Sequence, residues 1–595
     1  MISITNIHES YNARTLTTDQ VCKKFITNRH FASLSGSNHS LLIGPRGSGK
    51  TTLMKMLQVE ALEIWKHNEA DLYRKKIEYT GVFIPTDRIW KQQFEKIIES
   101  INDKSFAEKL VTEVFIYHTL EQVAKALEFR INRNSMKKNN FKRILLEKHE
   151  EKDLVFELSN LWKVDPIIPT LRSLCSSLSI KKKDLTKIIY NLSHNTVAKD
   201  NYESFNDLLS LVSTGISIIN NYVNENGSKW ALLFDELELA PEQIIQPLID
   251  SMRGGPEEII IKLSLSPYHK NLEIGSNPLG PSKGNDYIYI DLSISESGGL
   301  SKSEKEKALE TFAMELCQQL YSAQGYKGEI KDKFVKPNKL PNLSKDFKEL
   351  ARKDKSFLKY LNEREIDVLK LDKYTEKDKR PTIRKIEYIV FIRNQYFNNK
   401  MKLKSLKSPL DYYANFSNLA KSLEYNPRML IATINVLLST LNDNSKKIKL
   451  HNQISAIKTS KETLKSLLNT IAISYSNSKT VSEFIHSIGE HFEEGIKGIN
   501  FNAEPAGSFK TNKKISPKLR EAIGLALNAG ALIRVFNEDA EKSISIIENS
   551  RFRLSYIFAH RYALPLQLMK AIPISAIFKT DNFEGPKQLP LKNIA

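Results

Sequence analysis

Three cysteines, Cys22, Cys175 and Cys317, are scattered through 595 residues. That is too few, and too widely spaced, for a disulfide framework or a thiolate metal site. No apolar run approaches the ~18 residues that a membrane span needs. The opening Met1-Ile2-Ser3-Ile4-Thr5 lacks the basic-then-apolar pattern of a secretory signal. No His-Asn-His motif, paired-acid-plus-lysine motif or metal-ligand cluster is present, which argues against a self-contained nuclease. The expectation is a chain in a reducing, cytoplasmic setting with no membrane partner. Acidic residues are also in deficit, 69 against 88 lysines and arginines, for a formal charge of +19. Such an excess points to a polyanionic partner, nucleic acid first, or to the lysine bias of an AT-rich genome. Hydrophobic content of 41% and charged content of 26% are those of a globular protein, and the length predicts three or more folding units.

Against these absences stands one dense stretch, Leu41-Leu42-Ile43-Gly44-Pro45-Arg46-Gly47-Ser48-Gly49-Lys50-Thr51-Thr52. It reads as a buried strand, a glycine-rich loop and the first turn of a helix. Gly44, Gly49, Lys50 and Thr51 fit G-x-x-x-x-G-K-[ST] without a mismatch. The spacing has a chemical reason. Glycines let successive N–H groups turn inward toward phosphate oxygens, and the helix adds its positive end. Lys50 can then reach the β- and γ-phosphates of ATP while Thr51 holds Mg²⁺. Residues Gly44 to Thr52 are therefore the predicted nucleotide cradle.

A second apolar run, Trp230-Ala231-Leu232-Leu233-Phe234, ends in Asp235-Glu236. A buried parallel strand delivers two carboxylates to the carboxyl edge of a sheet in this way. Asp235 is the predicted metal partner and Glu236 the acid that polarises the attacking water, with Glu238 as the alternative.

In chain order, residues Thr17 to about Leu34 read as a helix with Thr18 at its N-cap. The P-loop helix is predicted to run to about Trp65. A second strand follows at Tyr79–Pro85, with Thr86-Asp87-Arg88 at its end, lining the cleft or simply turning. Far more chain separates Lys50 from Asp235 than a strand-helix-strand connection requires. The excess, about 94–211, has helical periodicity at Leu110, Val114, Phe115, Leu120 and Val123 and basic clusters at Lys137-Lys138 and Lys181-Lys182-Lys183. A helix from Pro241 to about Met252 and strands at Ile259–Pro267 and Tyr287–Leu292 close the core by about residue 295. About two dozen lysines and arginines lie between Lys327 and Lys407, a candidate polyanion surface or a solvated helical insertion. Asn426-Pro427-Arg428 opens an apolar helix, Asn426 as cap and Pro427 at the first position. Near the end come an amphipathic helix from Pro517 to Gly530, a strand at Ala531–Phe536, a turn at Asn537–Asp539, and strand-like runs at Ile544–Ile547 and Arg551–Ile557. That order is a winged-helix pattern, helped by a preceding helix from about Val481 to His491.

On these residues the chain resembles AAA+ ATPases of the origin-recognition-complex type. Its Gly81-Val82-Phe83-Ile84-Pro85-Thr86-Asp87 and Phe552-Arg553-Leu554-Ser555-Tyr556 runs look closest to relatives in bacterial anti-phage defence. The resemblance implies an α/β fold: a P-loop, AAA+-type parallel-sheet core with large helical insertions, a helical lid and a C-terminal winged helix. The expected division is a core at 1–300, a basic helical insertion at 301–407, a lid at 408–475 and a winged-helix domain at 476–595. It further implies that Arg428 is the second sensor, reaching the γ-phosphate from the lid, and that Ser264 or Ser266 is the first sensor. The family's arginine finger between the fourth and fifth strands has no counterpart, since Ser266 to Asp286 holds no arginine and Arg253 is a weak substitute. Two functions stay open. One is an ATP-driven switch that binds DNA or a phage-derived trigger and controls a separate effector protein. The other is a replication-initiator-like or DNA-remodelling ATPase. A homo-oligomer is compatible with both.

Overall fold

Runs of consecutive apolar residues become the strands of a parallel sheet because both of its faces are covered. The structure, a computed structural model, describes residues 13–86, 104–131, 141–192, 207–240, 242–269, 280–293, 302–337, 341–404, 411–441, 446–535 and 547–578. Several expectations lie outside the described residues: Asp87, Arg88, Lys137, Lys138, Pro241, the Asn537–Asp539 turn and most of the Ile544–Ile547 run. Contacts divide the chain into two compact units, Met1–Gly44 with Ser48–Leu292, and Pro45–Gly47 with Ser293–Ala595.

The first unit is built on β1 (His39–Ile43), β2 (Thr80–Pro85), β3 (Trp230–Asp235), β4 (Ile259–Leu265) and β5 (Tyr287–Asp291). Their order is β2-β3-β4-β1-β5 and every pairing is parallel. All of β3 and β4 is buried, including the polar Asp235, Lys262 and Ser264 among their apolar residues. Because the strands run the same way, the residues after Ile43, Pro85, Asp235 and Leu265 emerge along one edge. Phe25, Phe31, Trp65 and Tyr73 pack together in the core that covers one face of the sheet.

Local chemistry sets the helix boundaries. The stretch predicted as one helix from Thr17 is two, Thr18–Lys24 and Arg29–Leu34, and the cap is Thr17. Thr17 and Gln20 form a reciprocal capping box, and the Asn28 side chain starts the second helix, so the chain breaks where a new cap intervenes. The P-loop helix likewise ends at Met56, and Val59–Ile64 is a separate helix. Between β2 and β3 lie the helices Lys104–Arg130, Lys148–Trp162, Leu171–Leu192 and Leu208–Tyr222. Leu110, Val114, Phe115, Leu120 and Val123 are all buried. Lys182 pairs with Glu121 at 2.5 Å, which takes it out of any free basic surface.

The second unit is mostly helical, with two small sheets. The helices Leu343–Lys353, Lys355–Glu363 and Arg380–Tyr396 enclose a core of Phe347, Leu350, Phe357, Leu361 and Ile386. Arg393 inside it is fully buried, paired with Asp354 at 2.7 Å and donating to the carbonyls of Ile496, Gly498 and Ile499. The helix Lys302–Ala323 packs on Pro427–Leu438, and the adjoining Gln324 donates to Asn435 at 3.0 Å. A hairpin of β6 (Ala472–Tyr475) and β7 (Ser478–Thr480) precedes the helix Val481–Lys497. The last sheet contains β8 (Ala506–Lys510), β9 (Leu532–Val535), β10 (Arg551–Leu554) and β11 (Lys570–Pro573) in the order β11-β8-β10-β9. β10 is antiparallel to both β8 and β9. The helix Pro517–Asn528 sits between β8 and β9 in the chain, capped by Ser516 with Pro517 in its first turn. Among the described residues no helix is long and apolar enough to cross a membrane, and no group of three or more His, Cys, Asp or Glu could hold a metal. All three cysteines are free thiols.

Candidate functional site

The loop after β1 is shaped by glycine. Gly47 and Gly49 have φ of 82° and 95°, a region that side chains with a Cβ avoid. Gly44 is needed for closeness instead, since a Cβ there would lie 2.5 Å from Ser48 Oγ. Gly49 is the N-cap of the helix Lys50–Met56 and supplies no side-chain cap. The Gly44 amide donates to Leu265 O at 3.2 Å, tying the loop to the end of β4.

Lys50 is 8% exposed, and its Nζ donates to the Gly44 carbonyl at 2.6 Å. The ammonium is thus folded back over the loop it would share with a phosphate. Ser48 Oγ is buried with no hydrogen-bond partner among the described residues. An unsatisfied buried hydroxyl in a glycine cradle fits a phosphate oxygen.

Asp235, at the end of β3, gathers three motifs. Ser264 on β4 donates to its Oδ1 at 3.0 Å, and the Thr51 hydroxyl hydrogen-bonds the same carboxylate. Burial pushes the Asp235 carboxyl up to about 6. Thr51 opposes the rise, Glu236 adds to it, and Lys50 and Ser264 oppose it. A divalent cation held by Thr51 and Asp235 would supply the positive charge that this burial calls for. The donor set therefore fits ATP with Mg²⁺.

Glu236 has φ of 50°, an uncommon conformation for a side chain of its kind. Its Oε2 is paired with Arg14 Nη1 at 2.9 Å, and Arg14 Nη2 donates to Thr86 O at 2.6 Å. Thr86, just past β2, donates its amide to Asp235 O at 3.1 Å and keeps its buried Oγ1 without a partner among the described residues. Glu238 is drawn elsewhere: the Ser266 hydroxyl donates to it. Ser264 and Ser266 thus serve different acids, Ser264 the aspartate beside the P-loop and Ser266 the alternative glutamate. Arg253 donates to Gly280 O at 3.3 Å.

In the second unit Asn426 caps the helix Pro427–Leu438 through Met429 N. The Asn426 amide also donates to Arg46 O at 3.2 Å, and the Arg428 N–H donates to Gly47 O at 3.3 Å. Pro45, Arg46 and Gly47 belong to this unit by their contacts, Arg46 N donating to Asn528 O at 3.0 Å.

A DNA contact through Arg551 or Arg553 would fit the proposed winged helix by position, but Arg553 is 6% exposed and forks onto both oxygens of Glu424 at 2.6 and 2.9 Å. Arg551 is turned onto Ser508 Oγ and Met569 O. The buried Glu424 carboxylate holds the Arg553 guanidinium away from any phosphate. Conversely, Arg14 carries no motif and escaped notice. Its only sequence signal is a lone arginine before a capped helix.

No curated protein and no solved structure matches the chain. Residues 6–574 match the family model described as ORC-CDC6-like. The chain, with its P-loop motif, acidic strand end and five-stranded parallel sheet, belongs to the ORC-CDC6-like family of AAA+ ATPases, whose members as a rule bind and hydrolyse ATP with Mg²⁺.

Proposed function

We propose that this chain is an ATP-hydrolysing switch that binds DNA. The observation that carries the ATPase reading is the convergence of Thr51 and Ser264 on buried Asp235, beside Lys50 and Glu236. Residues Gly44 to Thr52 cradle the phosphates. Lys50 would exchange the Gly44 carbonyl for phosphate oxygens, and Thr51 with Asp235 would hold Mg²⁺, which when bound would supply positive charge beside the transferring group. Glu236 accepts a hydrogen from the attacking water. That water forms the new bond to the γ-phosphorus while the bond to the β–γ bridging oxygen breaks, and ADP leaves with the electron pair. Ser264 is the first sensor, and Arg428 keeps the second-sensor role that the family likeness gives it.

The DNA-binding reading is supported by charge and by element order. The order helix Val481–Lys497, β8, helix Pro517–Asn528, β9 and β10, with β10 between β8 and β9, supports reading this region as a winged helix. Lys513, Lys514 and Lys518 are exposed at the start of the Pro517–Asn528 helix. Lys345, Lys348, Lys355, Lys373 and Lys377 are exposed in the basic 301–407 segment. Control of a separate effector in anti-phage defence rests on the likeness of the second strand and the Phe552–Tyr556 run alone. Replication-type remodelling is the competing role. ATP turnover measured alone, with duplex DNA, and with the product of a neighbouring gene tests the reading. Stimulation by DNA supports the switch. Turnover indifferent to DNA, with no DNA binding at low salt, refutes it.

A further inference from the structure

Arg14 lies outside every motif of the nucleotide site, yet its guanidinium joins two strand ends of the sheet. Nη1 holds Glu236 Oε2 at 2.9 Å after β3, and Nη2 holds the Thr86 carbonyl at 2.6 Å after β2. The chain around Arg14 is itself anchored. Lys55, on the helix that begins with Lys50, donates to Ala13 O at 2.8 Å and Leu16 O at 3.1 Å. Two carbonyls flanking Arg14 are thereby tied to the P-loop helix. Thr86 in turn donates to Asp235 O. The guanidinium thus reaches from an anchored stretch of chain to a fixed carbonyl through Nη2 and to the acid proposed to polarise water through Nη1.

Glu236 needs such a restraint. It follows the end of β3 in a left-handed backbone conformation, with its side chain 27% exposed. A partly exposed carboxylate samples several rotamers unless a partner selects one. The ion pair engages Oε2 and leaves Oε1 as the acceptor for a water hydrogen. A base oriented by a third group is the arrangement that general-base catalysis repeatedly uses. We propose that Arg14 is the positioning residue for Glu236, acting from the same chain. It does not touch the nucleotide in this role. The assignment rests on the ATPase reading above.

The test compares wild type with Arg14→Ala, Arg14→Lys, Glu236→Gln and the Arg14→Ala/Glu236→Gln double variant. Each is assayed for phosphate release from Mg-ATP and for binding of a fluorescent ATP analogue. Misorienting a base typically costs about 10- to 100-fold in rate. The expected result is a turnover loss of that size in Arg14→Ala, with analogue affinity kept within about threefold. Arg14→Lys should recover part of the rate, since one charged arm is restored. Added methylguanidinium should raise turnover in Arg14→Ala and not in Glu236→Gln. The double variant should be no slower than Glu236→Gln, because the two residues act through one step. Wild-type turnover in Arg14→Ala, or faster turnover, would overturn the assignment, the latter making the pair a restraint on hydrolysis. A loss in the double variant equal to both single losses combined would overturn it as well, by making Arg14 merely structural. If wild type itself binds the analogue but releases no phosphate, the ATPase reading fails first and takes this inference with it.

Discussion

The hydroxyl of Ser264, on β4, donates to Oδ1 of Asp235, on β3, at 3.0 Å. The same carboxylate is hydrogen-bonded by Thr51 from the first turn of the P-loop helix. Three segments far apart in sequence therefore meet on one buried acid. Ser264→Ala leaves that acid one donor short, at a cost of about 1–3 kcal/mol for an under-satisfied buried group. The expected readout is a lower melting temperature without nucleotide and slower ATP turnover. Unchanged values for both would show that the hydrogen bond contributes nothing.

Lys50 is expected to anchor the ligand rather than the fold. Its Nζ donates to the Gly44 carbonyl of the same loop. A ligand at a hundred times its Kd stabilises the folded chain by about 2.7 kcal/mol. Thermal unfolding of Lys50→Ala with and without Mg-ATP should show that gain lost and the unliganded melting point nearly kept. A full nucleotide-dependent shift in the variant would refute the cradle.

His118 should make the first unit acid-sensitive. Its Nε2 lies 2.9 Å from the Pro85 carbonyl. Burial pushes its pKa down to about 4, and the nearby Lys182 charge adds to the push. Between the ordinary value near ~6.5 and about 4, the unfolded chain binds a proton that the folded chain does not. Stability should therefore fall as pH drops through that window and level off below it, by about 3 kcal/mol for this residue. His118→Gln, with an amide able to donate to the same carbonyl, should flatten that part of the profile. Denaturant unfolding from pH 7 to pH 4 measures it. Identical slopes for both proteins would contradict the assignment.

Arg553 and the exposed lysines should separate folding from DNA binding. Removing one partner of the Arg553–Glu424 pair strands a buried charge, at about 3–5 kcal/mol. Arg553→Ala should therefore unfold the second unit more easily. Replacing Lys513, Lys514 and Lys518 together should leave stability alone and flatten the salt dependence of duplex binding by about 0.9 per lost phosphate contact. A parallel set in the exposed 301–407 lysines shows which surface dominates. Equal slopes for wild type and both sets would mean that neither surface carries the binding.

The parts legible in the sequence were those whose chemistry is local. Gly44 to Thr51 and Asp235-Glu236 announce themselves because strand, loop and helix impose fixed spacings on adjacent residues. Asn426 was readable as a cap for the same reason, and it caps Met429 N. Pairings between distant residues were not legible. Arg14 stands 222 positions from Glu236, and Arg553 stands 129 from Glu424. An arginine in a strand near a turn looks like a phosphate contact until its buried carboxylate is known. The helix break near Asn28 was missed because amphipathic spacing continues across it while a new side-chain cap restarts the helix.

The central claim is that Glu236 polarises the attacking water in an ATP site built on Asp235 and Lys50. The most direct measurement is phosphate release by wild type and Glu236→Gln, with bound nucleotide counted by filter retention of labelled ATP. The variant should retain ATP at wild-type affinity and accumulate it unhydrolysed, with turnover lower by at least about 100-fold, the scale of a lost general base. Wild-type turnover in Glu236→Gln, together with its loss in Glu238→Gln, would contradict it.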